Sequence, residues 1–176
     1  VSTGDHTWAA VDPGEAEPVI TFLQNRTASL SHILLTHHHH DHTGGVETLC
    51  QQQDPVVVGA ASDHHRLPTV TEKVVDGQRF PLGSIEITVM EVPGHTLGHV
   101  VYVADPYLFA GDTLFRFGCG RLFEGSPEQM WQSLLKIRAL PDTTLLCAAH
   151  EYTQTNVAFA CDLEPNNRAL SAMQEK

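Results

Sequence analysis

Apolar positions along the chain follow two different periods, and the switches between them mark the elements. Over residues 84–92, Ile85, Ile87 and Val89 alternate with Glu86, Thr88 and Met90. A period of two predicts a half-buried strand. Short apolar or β-branched runs at 7–11, 32–35, 56–58 and 145–147 predict further strands. Residues 99–103 and 107–110 predict a hairpin. Asp76-Gly77, inside 74–80, is the turn signal of a second one. A helical period appears at Met130, Leu134, Leu135 and Ile137. Ser126-Pro127-Glu128-Gln129 starts that helix with a capping serine, a proline at the first position and a glutamine three beyond the cap. Pro141-Asp142 stops it. Asp12-Pro13-Gly14 leads into a helix over about 15–25, Gly44-Gly45 into one ending near Gln52, and a last helix covers about 153–163.

Two blocks of strands with helices between and after them predict an α/β protein, and a four-layer αββα sandwich accommodates that order. No repeat or low-complexity linker interrupts it. A length of 176 residues suits one domain with its own core.

The formal charge of −11 argues against a nucleic-acid surface, which needs a basic stripe. No apolar run is long enough for a membrane helix, and no leader pattern opens the chain, so the expected setting is cytoplasmic. Cys50, Cys119, Cys147 and Cys161 form no C-x-x-C pair and are expected to be reduced packing residues.

The unusual count is histidine, at 12, with four in a row from His37 to His40. His37 and His39 sit two apart at a strand end. In extended chain, side chains at i and i+2 point the same way, so both imidazoles can reach one ion. Asp41 and His42 follow after the chain has turned and can address a second position, with Gly44-Gly45 leaving room for close backbone packing. His95, Asp112 and His150 each come just after an apolar run. Strand ends can converge on one edge of a sandwich. Imidazole and carboxylate donors without thiolate suit Zn²⁺, with Fe and Mn also accepted. One such His is more often an ordinary hydrogen-bonded residue; five His and two Asp at strand ends are a pattern. For His6, His32, His38, His40, His64 and His65 the ordinary role is favoured.

The order H-x-H-x-D-H, then His, Asp and His, resembles the metallo-β-lactamase superfamily. The local strings are more specific: Thr36-His37 through Gly45, Pro93-Gly94-His95-Thr96-Leu97-Gly98-His99, Gly111-Asp112-Thr113-Leu114-Phe115, Gly118-Cys119-Gly120-Arg121 and His150-Glu151-Tyr152-Thr153. Together they are similar to the glyoxalase II (hydroxyacylglutathione hydrolase) family over about residues 8–165.

The resemblance implies a metallo-β-lactamase fold and two divalent ions. His37, His39 and His95 would hold one, Asp41, His42 and His150 the other, and Asp112 both. Asp41 and Asp112 would be the catalytic carboxylates, with Asp12 and His99 orienting ligands behind them. Arg121, Phe123 and Tyr152 match substrate-contacting positions. Phe123 stands where the family often has Tyr, and Arg121 where it has Lys. The implied substrate is a small-molecule glutathione thioester, S-D-lactoylglutathione, cleaved to glutathione and D-lactate by a monomer. Residues 1–165 would be the catalytic domain and 166–176 the start of a C-terminal helical region. Rival readings are another hydrolase of this fold, a one-iron persulfide dioxygenase, or a metal-binding domain inactive through truncation.

Overall fold

The computed structural model describes residues 1–4 and 6–174. Glu175 and Lys176, the end of the expected C-terminal region, lie outside the described residues. In chain order the elements are β1 (Ser2–Gly4), β2 (Thr7–Val11), α1 (Ala16–Gln24), β3 (Ser29–Leu34), α2 (His40–Thr43), α3 (Val46–Gln53), β4 (Val56–Ala60), β5 (Glu72–Val74), β6 (Arg79–Leu82), β7 (Ile85–Glu91), β8 (Val100–Ala104), β9 (Tyr107–Gly111), β10 (Leu114–Phe115), β11 (Gly118–Cys119), α4 (Pro127–Arg138), β12 (Leu145–Ala148), α5 (Thr153–Leu163) and α6 (Arg168–Gln174).

Two five-stranded sheets form, ordered β1-β2-β3-β4-β5 and β12-β9-β8-β7-β6. In the first, β2 to β5 run parallel. In the second, β6 to β9 are antiparallel and β12 joins β9 in parallel.

Side-chain alternation builds the layers. Val58, Ala60 and Val74 of the first sheet face Ile87, Val89, Val100 and Tyr102 of the second across a shared core. On the opposite face of the first sheet, Ile33, Leu35 and Val57 pack on Leu23 of α1 and on Val46 and Leu49 of α3. On the opposite face of the second, Val101, Leu108 and Ala110 pack on Ile137 of α4. Helix, sheet, sheet and helix are the four layers that the strand order predicts. The α4 start is a complete capping box between Ser126 and Gln129, and β8 and β9 form the expected hairpin.

Two expectations are overturned. Asp76-Gly77 does not join two strands of one hairpin: β5 pairs with β4, and β6 with β7. The turn carries the chain from one sheet to the other, because Val74 is buried in the inter-sheet core and holds β5 in the first sheet. Cys119 is also not a packing residue; it is exposed. All four cysteines are free. Among the described residues no helix is long and apolar enough to cross a membrane.

The sheets are joined by a polar contact in the dry core. Tyr102, fully buried on β8, donates its hydroxyl to the Leu35 carbonyl at 2.9 Å. A neutral buried hydrogen bond contributes about 1 kcal/mol net, and an acceptor left alone costs more. Tyr102→Phe should therefore lower unfolding free energy by about 1–2 kcal/mol in urea titration. An unchanged midpoint would show that the bond is not a tie between the sheets.

Candidate metal centre

The ends of β3, β7, β9 and β12 meet at one edge of the sandwich, and each delivers part of one polar cluster. Leu35 extends β3 by hydrogen-bonding the Val58 carbonyl, and Thr36 to His39 continue in a loop before α2. Gly45 is required here: a Cβ would sit 2.6 Å from the Ala16 nitrogen, so only glycine lets α3 start against the Asp12–Gly14 turn. Gly111 has φ +49°, and a Cβ there would sit 2.5 Å from Thr36 Oγ1. Glycine at that position brings Asp112 up to the end of β3.

Hydrogen bonds fix which nitrogen each imidazole presents. Asp12, at φ 48°, accepts from the Thr36 amide at 2.8 Å and from the Thr36 hydroxyl at 2.7 Å. That hydroxyl can then only accept from His37 Nδ1, 2.9 Å away, which leaves His37 Nε2 unprotonated. His42 Nδ1 donates to Asp12 at 3.0 Å, and His95 Nδ1 to the Arg121 carbonyl at 2.8 Å. Both rings therefore also turn Nε2 toward the cluster.

The freed atoms converge in two trios. In each of His37–His39–His95 and Asp41–His42–His150, one ligand atom per residue lies within 4.8 Å of the others. Asp112 stands between them, Oδ2 at 3.4 Å from His95 Nε2 and Oδ1 at 3.3 and 3.4 Å from His42 and His150 Nε2. All seven residues read from the sequence are thus brought together. A third trio, Asp12–His37–His42, meets the same spacing, but both Asp12 oxygens are already engaged as acceptors.

The electrostatics suit a cation. Burial, then the neighbouring His99, His42, His39 and His95, hold His37 far below the usual histidine range. Burial and the adjacent His95 and His38 lower His39 as well, against the pull of Asp41 and Asp112. Burial also opposes charge on His42, but contact with Asp112 and the hydrogen bond to Asp12 outweigh it and push it up to about 10. Burial raises Asp112, yet His42 brings it down on balance. His37 Nε2 and Asp112 Oδ1 are buried without a hydrogen bond among the described residues. Acceptor atoms are seldom left so, because desolvating them without a partner is costly. A divalent ion supplies what both lack, and the donor set is one such ions accept.

His99, fully buried, stacks on His37 at 4.7 Å and accepts the Asp112 amide at 3.2 Å through Nε2. Asp12 and His99 therefore lie behind the cluster. Arg121, Phe123 and Tyr152 line a cleft of about 790 Å³ with His39, Asp41, His95, Asp112 and His150 on its floor. Phe123 sets its ring edge-on to His39 and His95, and Tyr152 stacks on His150 at 5.4 Å. The sequence pattern assigned no functional role to Thr36, which relays Asp12 to His37, or to Phe115, Cys119, Thr155 and Asn156, which help line the cleft. Thr36 was legible as a hydroxyl beside His37; the others are ordinary residue types brought in by folding.

Residues 3–150 match the family model of the metallo-beta-lactamase superfamily. The chain is 51% identical over 175 residues to a hydroxyacylglutathione hydrolase of Methylococcus capsulatus, covering 98% of this chain and 68% of that protein. Two further relatives of the same name are covered to 64% and 65%, so the chain spans about two thirds of their length. Among solved structures it is similar to the B3 metallo-beta-lactamase BLEG-1 (27% identity, TM-score 0.79, covering 86% of this chain and 84% of that one). It is also similar to TTHA1623 in a di-iron-bound form (29% identity, TM-score 0.72, 80% of each chain).

Burial holds His99 at about 3 in the folded chain, against about 6.5 when unfolded. The unfolded state therefore binds the extra proton below pH 6.5, and stability falls as pH drops. His42, pushed the other way, is charged in both states there and adds no slope. Metal-free protein should lose up to about 1.4 kcal/mol per pH unit from His99 between pH 6 and 4. His37, held neutral by burial as well, adds a slope of the same sign, so His99→Asn should reduce the total slope by up to about 1.4 kcal/mol per pH unit in denaturant titrations without abolishing it; an identical slope would show that His99 is not held neutral.

Proposed function

The chain belongs to the metallo-β-lactamase superfamily, and we propose that it hydrolyses S-(2-hydroxyacyl)glutathione, S-D-lactoylglutathione in the first instance, to glutathione and a 2-hydroxy acid. The observation that carries this reading is the seven-residue His/Asp cluster, five of whose members line the floor of an open cleft, in a chain half-identical to hydroxyacylglutathione hydrolases. Residues 1–165 form the catalytic domain in this reading, with 166–176 opening a further helical region.

His37, His39 and His95 would hold one divalent ion and Asp41, His42 and His150 a second, with Asp112 shared between them. Zinc is the first choice. Iron is supported by the di-iron form of TTHA1623, and the donor set accepts manganese. When bound, the ions supply a water that ionises near neutral pH and positive charge for the carbonyl oxygen.

The chain's own groups do the rest. Asp41, with its side chain 59% exposed to the cleft, orients the attacking water. Asp12 and Thr36 engage Nδ1 of His42 and His37, so that Nε2 is the nitrogen each ring turns toward the site. Arg121 offers a planar guanidinium for a glutathione carboxylate. Phe123 can pack against the peptide but has no hydroxyl to donate. Water oxygen adds to the acyl carbon, the carbon–sulfur bond breaks, and the sulfur leaves as a thiolate. A thiol of pKa about 8.5 needs little acid assistance to leave.

His150 Nε2 lies 3.3 Å from Asp41. Its place in the second trio supports two ions over the one-iron dioxygenase alternative.

Metal-loaded protein should cleave S-D-lactoylglutathione, followed by loss of thioester absorbance. Chelation should abolish turnover and added metal restore it, and Asp112→Ala should cost at least about 100-fold. Turnover that survives both chelation and Asp112→Ala would sink this reading.

A further inference from the structure

Beside the ligand cluster, charged groups from three distant segments meet at the loop between β11 and α4. Asp63, buried, and Arg66 lie in the turn after β4, His38 lies between His37 and His39, and Glu124 lies in the loop. Arg66 donates Nε to Asp63 and both terminal nitrogens to the two oxygens of Glu124, the second at 3.1 Å. Glu124 Oε2 also accepts the Leu97 amide at 2.8 Å. His38 closes the group, its Nδ1 3.2 Å from Asp63 Oδ2 and its Nε2 3.3 Å from Arg66. The bidentate Arg66 contact, then the Leu97 amide, hold Glu124 down to about 2 despite some burial, so it is ionised throughout the working range.

The same loop carries Arg121 and Phe123 into the cleft. Its apolar side chains do not anchor it: Leu122 is 40% exposed and Phe123 62%. What ties it down is the Arg121 carbonyl on His95 Nδ1 at 2.8 Å, the Phe123 amide on the His95 carbonyl at 3.2 Å, the Gly125 amide on the Gly94 carbonyl at 3.0 Å, and the Glu124 carboxylate. Exposed ion pairs are generally weak. This one is bidentate, braced from behind by Asp63, and shared with a backbone amide two residues from His95. That geometry makes it specific in direction as well as charge.

We propose that the Arg66–Glu124 pair is a positioning clasp that sets the loop bearing Arg121 and Phe123 across the cleft, and so governs affinity for the glutathione portion of the substrate rather than the rate of thioester cleavage. The inference rests on the thioesterase reading above. Arg66 and Glu124 act through the loop and touch no reacting atom.

The test compares Arg66→Ala, Glu124→Gln and Arg66→Lys with the metal-loaded wild type. Substrates are S-D-lactoylglutathione and S-lactoyl-N-acetylcysteamine, which lacks the glutathione peptide. Hydrogen exchange at the Phe123 and Gly125 amides is a readout independent of activity. Arg66→Ala and Glu124→Gln should raise KM for the glutathione ester about 10-fold, equivalent to about 1.4 kcal/mol. Their kcat and metal content should stay within about twofold, and the short thioester should be handled as before. Loop amides should exchange at least about 10-fold faster while β8 amides do not change. Arg66→Lys, which keeps the charge but not the fork, should fall between. A fall in kcat or metal content with KM unchanged, or unaltered loop exchange, would overturn the clasp. A wild type that cleaves neither thioester would instead remove the functional reading; loop exchange alone would then decide, faster exchange supporting the clasp and unchanged exchange overturning it.

Discussion

Everything at the functional edge of this protein follows from burying the His37 imidazole. The ring is wholly enclosed, one nitrogen is committed to Thr36, and the other is grouped with ligand atoms of His39 and His95 and has no hydrogen bond among the described residues. Protonation cannot relieve it, since burial and four neighbouring imidazoles oppose the charge. The surroundings are built accordingly. Asp12 binds Thr36 twice and His42 once, so one carboxylate sets two rings from behind. The Arg121 carbonyl does the same for His95. An array of lone pairs pointed at common points is favourable only with a cation to share them.

The fold makes this arrangement affordable by keeping it at one edge. Three dry interfaces, between the sheets and under each helical layer, carry the hydrophobic stabilisation. Strand ends then project ligands without breaking a ladder. The loops that follow β3, β7 and β9 and the end of β12 each bring donors, so the cluster joins segments as far apart as His37 and His150. The cleft wall is a later layer of the same construction, since the loop bearing Arg121 and Phe123 is laid against the His95 loop by backbone bonds and by Glu124.

Much of this was legible in the sequence because its periodicities are local. The alternation of Ile85, Ile87 and Val89 gave β7, and Ser126 with Gln129 gave the start of α4. The seven cluster residues could be read together because each follows an apolar run, and strand ends in a sandwich converge. The path of the chain between sheets was not legible. Asp76-Gly77 signals a reversal but not its partner, and only burial of Val74 in the shared core keeps β5 with β4. The Asp63–Arg66–Glu124 group also left no pattern, because Arg66 and Glu124 are 58 residues apart and each reads as a surface charge. Cys119, a packing residue by composition, lines the cleft because its short strand pairs with β10 at the rim.

The central claim is that His37, His39, Asp41, His42, His95, Asp112 and His150 form one two-ion site. Counting bound ions by native mass spectrometry, after stripping the protein and adding back zinc, tests it most directly. The account predicts two ions per chain, and fewer in Asp112→Ala. A wild type that takes up no more than one, or an Asp112→Ala protein that still holds two, would contradict it.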